Sequence, residues 1–151
     1  MTLGRDILIG IDAGTSVIKA VAFDVAGRQL AIASTPNRYV TRASDGAAFQ
    51  DMEQTWSDCA ATLRDLGTKV ENLGSRTLSV AVTAQGDGTW LVGTGNRPVT
   101  DGWLWLDARS AATVKRLRGT EADLARFHHT GSGPERLPAR QPDRPYADHH
   151  A

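Results

Sequence analysis

Three short apolar runs stand at the front of the chain with almost nothing between them: residues 6–12 (DILIGID), 17–25 (VIKAVAFDV) and 29–34 (QLAIAS). Aliphatic and β-branched side chains dominate them. Gly14 punctuates the first gap and Gly27 the second, so each run reads as a strand that ends in a tight turn. Connections this short force antiparallel pairing, because a parallel crossover needs about a dozen residues or more. The chain is therefore predicted to open on a three-stranded antiparallel meander. A doubly wound dinucleotide fold is excluded, since it alternates strand and helix from the start.

A helix follows. Asp51 is placed to cap it, with Gln54 as the partner in a capping-box spacing. Trp56, Cys59, Ala60, Leu63, Leu66, Val70 and Leu73 then recur at helical spacing as one apolar face, and Gly74 is read as its end. Trp56 and Cys59 are expected in the core. Residues 77–83 (TLSVAVT) read as a buried strand, with shorter strands at 89–92 and 102–106. Asp107 is placed to start a helix over 108–117, and Thr120 with Asp123 to start another that reaches about His128. Helices over a mixed sheet give an α/β domain.

Bulk properties narrow the function. Seventeen basic residues balance seventeen acidic ones, so no nucleic-acid or membrane-surface partner is implied. The single cysteine, Cys59, forbids an intrachain disulfide. No apolar run reaches membrane-spanning length and the first residues lack a secretory layout, so the expectation is a soluble cytoplasmic protein.

Three clusters could carry chemistry. In the first, Gly14 lets the turn after Asp12 tighten so that backbone N–H groups face an anion. Thr15 and Ser16 add hydroxyls, and Lys19 adds a point charge on the returning strand. Asp12, at the end of an apolar strand, suits a magnesium–water cluster; a plain hairpin with Asp12 bonded to turn amides is the alternative. This is not a Walker loop, which needs GxxxxGK and a helix after it. In the second cluster, Gln85 and Asp87 flank Gly86 just past a strand end, where a polyol could be bonded or where a simple turn could stand. In the third, alternation puts Trp103, Trp105 and Asp107 on one strand face, followed by Arg109. An indole beside charged groups covers the C–H face of a sugar while the charges bond its hydroxyls. Trp103 is read as core, and Trp105 as the functional indole. The pairs His128-His129 and His149-His150 carry no metal signal, since sequence neighbours diverge on a helix.

These residues resemble a known family. GIDAGTSVIKAVAFD (10–24) is similar to the opening phosphate motif of the FGGY carbohydrate kinases, members of the actin-like, RNase H-like ATPase superfamily. FQDMEQTW (49–56) resembles the segment before that family's first long helix. VTAQGDGTWLV (82–92) resembles its sugar-contacting segment, and WLWLDARSA (103–111) its W-x-D-x-R element. The match is colinear over about 7–133. QGDGTW with WLWLDAR looks most like the erythritol and polyol kinases. Gly86-Asp87 stands where relatives often carry Arg-Glu or Met-His, which argues against glycerol or xylulose specificity.

The resemblance implies that residues 1–133 are an incomplete FGGY N-terminal, sugar-binding domain. It implies ATP as phosphate donor, Asp12 on Mg2+, and Gly14, Thr15, Ser16 and Lys19 near the transferred phosphate. Gln85, Gly86, Asp87, Trp105, Asp107 and Arg109 would line the pocket for a small polyol or sugar. The family's catalytic base, an Asp, lies further along chains about three times as long, so no catalytic residue is expected here and the fragment is expected to be inactive. The face that would pack on the second domain invites self-association, such as a homodimer. Residues 134–151 hold Pro134, Pro138, Pro142 and Pro145 and one larger aliphatic, Leu137. They read as a flexible tail or, preferably, as out-of-frame sequence, because the resemblance stops at Pro134. Two other functions stay open: a polyol-binding or regulatory module that does not catalyse, and an actin-like or chaperone-type ATPase subdomain.

Overall fold

The computed structural model describes residues 5–132; the tail expected over 134–151 lies outside the described residues. In chain order the elements are β1 (Ile7–Ala13), β2 (Val17–Asp24), β3 (Gln29–Pro36), β4 (Val40–Arg42), β5 (Ala47–Gln50), α1 (Met52–Lys69), α2 (Leu73–Arg76), β6 (Thr77–Ala84), β7 (Gly102–Trp103), α3 (Ala111–Leu117) and α4 (Glu121–Thr130). They form two compact units. One holds the chain before Val40 together with Asp51–Gln85; the other holds Val40–Gln50 and the chain from Gly86 onward.

In the first unit the sheet order is β3-β2-β1-β6. β1 pairs antiparallel with β2, and β2 antiparallel with β3. β6 lies parallel to β1, with Asp12 opposite Thr83. Alternate residues of β1 (Ile7, Ile9 and Ile11) join Ala20, Ala22 and Ala33 on one sheet face and pack on Leu66, Val70 and Leu73. Alanines on β2 and β3 let α1 approach those strands closely, and burial of each isoleucine stabilises the unit by about 1.5–3 kcal/mol. The Asp51 carboxylate caps α1 by accepting from the Gln54 N–H at 3.0 Å. Only that half of the capping box forms, because the Gln54 side chain donates to Asp58 instead.

Several expectations need correction here. α1 stops at Lys69, and Val70 turns extended. Gly74 sits inside the separate α2, which follows a left-handed Asn72. Trp56 is not core: its position on α1 leaves it 76% exposed. Cys59 is half-buried, and burial raises its thiol pKa. β6 is not a buried strand but the edge of the sheet, with Val82 68% exposed.

In the second unit β5 sits between β4 and β7, antiparallel to both. The β4–β5 hairpin is absent from the sequence reading. Arg42 closes it by donating to both oxygens of Asp45, at 2.9 and 2.7 Å. That guanidinium and the Ala47 N–H hold the Asp45 carboxyl at a pKa of about 2. The strand expected over 89–92 is reduced to bridges at Thr89 and Val92. Gly102 is required where it stands: a Cβ there would come within 2.6 Å of the Trp90 ring. α4 starts as expected, with the Thr120 hydroxyl accepting from the Asp123 N–H.

Candidate functional site

In the first unit the β1–β2 turn is built from Gly14, Thr15 and Ser16. Asp12 is exposed near the end of β1, directly across the ladder from Lys19 on β2. A Cβ on Gly14 would lie 3.0 Å from the Val17 carbonyl oxygen and 3.7 Å from Asp12 Oδ1, so the turn tolerates little beyond glycine. The Thr15 hydroxyl donates to Gln85 Oε1 at 3.0 Å, across seventy residues of sequence. Gln85 ends this unit just past β6. The turn expected to meet phosphate and the glutamine expected to meet substrate are thus bonded to each other.

One residue of this turn's surroundings escapes the sequence reading. Asn37 follows β3, is 5% exposed, and donates through Nδ2 to the Gly14 carbonyl at 2.8 Å. Its backbone N–H donates to the Ser16 carbonyl at 2.9 Å. An asparagine after a proline reads as loop, and no local pattern announces partners that lie so far back in the chain.

The remaining candidates belong to the second unit. Gly86 has open space around its Cα, so no steric need selects glycine there. Asp87 is exposed and adopts φ +57°, a left-handed backbone uncommon outside glycine and found often at functional turns. The strand expected over 102–106 stops at Trp103. The Leu104 N–H donates to Ala48, and a turn then closes with the Asp107 N–H on Leu104. Trp103 and Trp105 therefore do not share a strand face. Trp103 is half-buried and lies under the Arg109 guanidinium, 5.2 Å from its ring centre, while Trp105 stands 56% exposed.

Asp107 has a buried side chain whose oxygens accept from Arg109 Nε, from the second Arg109 nitrogen at 2.6 Å, and from the Ala48 and Arg109 N–H groups. Burial acts to raise its pKa. The Arg109 guanidinium and those amides outweigh burial and hold the carboxyl below its ordinary value. The carboxylate also caps the 3-10 turn Ala108–Ser110 that leads into α3. An open hollow of about 470 Å³ lies here, lined by Trp105, Asp107, Ser110, Val114 and Lys115 among others. It offers an indole wall and charged groups, which is chemistry suited to a polyhydroxylated ligand.

Among the described residues no group of three or more His, Cys, Asp or Glu side chains could cage a metal. A lone exposed carboxylate such as Asp12 fits magnesium, which keeps several waters and takes one or two carboxylates beside substrate phosphates. No helix among the described residues is long and apolar enough to cross a membrane.

Comparison with known proteins places the chain in a family. The pattern of the FGGY family of carbohydrate kinases, N-terminal domain, matches residues 7–133. An erythritol kinase from Brucella abortus (strain 2308) is 60% identical over 128 residues, which cover 85% of this chain and 24% of that protein. A glycerol kinase from Rhodospirillum centenum is 34% identical over 117 residues, covering 75% of this chain and 23% of that one. The crystal structure of a xylulose kinase from Rhodospirillum rubrum superposes with a TM-score of 0.75 at 25% identity, over 85% of this chain and 26% of that one. The chain thus spans about a quarter of the length of these relatives. It belongs to the FGGY family of carbohydrate kinases, whose N-terminal domain it carries.

Proposed function

We propose that this chain forms the substrate-facing part of an ATP-dependent polyol kinase. Such an enzyme transfers the γ-phosphate to a hydroxyl of a small polyol such as erythritol. The reading rests on one contact above the others, the hydrogen bond from Thr15 to Gln85, which joins the phosphate-side turn to the substrate-side strand end. The high identity to an erythritol kinase supports the choice of substrate.

In this reading Gly14, Thr15, Ser16 and Lys19 lie beside the transferred phosphate, and Asp12 holds the water shell of Mg2+. The metal, when bound, offsets the charge that develops on the phosphate oxygens. Gln85 and Asp87 bond the polyol hydroxyls, and Gly86 leaves room for them. Trp105 covers the C–H face of the ligand. Arg109 supplies donors to the hydroxyls, and Asp107 contributes by fixing Arg109, since its oxygens are committed to that guanidinium and to two amides. The base that takes the hydroxyl proton is not assigned to any residue of this chain, so the chain alone is expected to turn over no ATP. The same reading sets the fold among the actin-like, RNase H-like ATPases and the protein in the cytoplasm.

A hybrid enzyme tests it. Residues 7–132 replace the matching segment of the Brucella abortus relative, and ADP release is followed with several polyols. Erythritol-dependent release supports the reading. A folded hybrid that is inert, or that accepts glycerol or xylulose while ignoring erythritol, overturns it.

A further inference from the structure

We infer that Asn37 is a positioning residue for the phosphate-facing turn, an inference that rests on the phosphate reading of that turn. Its carboxamide donates to the Gly14 carbonyl at 2.8 Å, and its own N–H donates to the Ser16 carbonyl at 2.9 Å. Two carbonyls of one short turn are therefore drawn to a single buried side. A trans peptide sets its C=O and N–H on opposite sides. Drawing the Gly14 oxygen inward onto Asn37 thus turns the Thr15 N–H outward. Positive dipole on the outer face of a turn is what an anion needs. Without the Asn37 donors the buried carbonyls would face solvent or each other, and the turn would sample orientations that present oxygen outward instead.

The anchor is itself held. Asn37 is 5% exposed, and its Oδ1 accepts a long contact of 3.4 Å from the Thr55 hydroxyl, which also donates to the Asp51 carbonyl at 2.9 Å. The shorter bond dominates that shared proton, so Thr55 fixes the Asn37 carboxamide weakly and its orientation comes chiefly from Gly14. Aspartate in its place keeps the size and removes the donor, setting a carboxylate oxygen against a carbonyl oxygen.

The test uses the whole chain with magnesium and inorganic tripolyphosphate as the probe, read by amide NMR shifts at Gly14, Thr15 and Ser16. Asn37→Asp and the milder Asn37→Ser are compared with Thr62→Val. That control removes a different buried polar group of the same unit, the Thr62 hydroxyl, bonded to Thr35 and to the Asp58 carbonyl. All are measured at matched fractions folded. The expected result is probe binding weakened about tenfold or more in both Asn37 variants, with Thr62→Val binding like the wild type. Asn37 variants that bind within about twofold of wild type, with the same turn shifts, overturn the role and leave the phosphate reading standing. Loss of fold in both Asn37 variants where Thr62→Val folds makes the residue a general structural support and also overturns the role. A wild-type chain whose turn ignores tripolyphosphate overturns the phosphate reading, and the Asn37 role with it.

Discussion

Asp107 shows how one side chain can hold several pieces of backbone and a neighbouring guanidinium at once. Its carboxylate caps the Ala108–Ser110 turn, accepts from Ala48 on β5, and holds Arg109 over Trp103. Asp107→Asn keeps the shape but loses the charge and turns an acceptor into a donor facing donors. Leaving those buried partners unsatisfied is expected to cost about 2 kcal/mol in urea unfolding. The pH dependence has a definite sign. The folded carboxyl lies below its ordinary 3.8, so its contribution is complete above that value. It is lost as pH falls through the lower folded value. Wild type should weaken in acid below the ordinary carboxylate range, and Asp107→Asn should lack that part of the slope. A variant with unchanged urea midpoint at neutral pH would show that the ion pair adds nothing. The cap was legible in the sequence, because Asp followed by helix formers is a local signal. The commitment of both oxygens was not, because Ala48 lies far back in the chain. Asn37 was illegible for the same reason, its carboxamide partner being at Gly14.

Among the elements, β6 departs most from its sequence pattern. TLSVAVT is apolar and β-branched, the composition of a strand buried on both faces. In the sheet it stands at the edge beside β1, while α1 packs on β2 and β3. Its eight residues carry no charge and no proline, the devices that usually blunt an edge. Concentration-dependent self-association of the chain is therefore expected in sedimentation velocity. Val80→Lys should suppress it at small cost to stability, because Val80 is already half exposed. A wild type that stays monomeric at every concentration would sink this expectation. The strands β1 to β3 were readable because their pattern, length and turns are all local. β4 and β5, three and four residues long, are too short to display a period. In WLWL the alternation is genuine, but the Leu104 N–H is drawn to Ala48, and the backbone turns before a second strand residue can follow Trp103.

At the scale of the molecule, the first unit is discontinuous in sequence, because Val40–Gln50 belongs to the second. Order of synthesis then matters. A ribosome releases β1, β2 and β3 first, next a hairpin that belongs elsewhere, and only afterwards the helix and strand that close the first sheet. A stalled nascent chain that has emerged as far as Gln85 should resist protease across β1–β3, α1 and β6 and be cut within 40–50, since β7, the partner of β5, has yet to leave the ribosome. Protection of that segment should arrive only with Gly102 and Trp103. Until then the growing polypeptide carries an unpaired hairpin, a window in which a chaperone that binds extended segments would find its target.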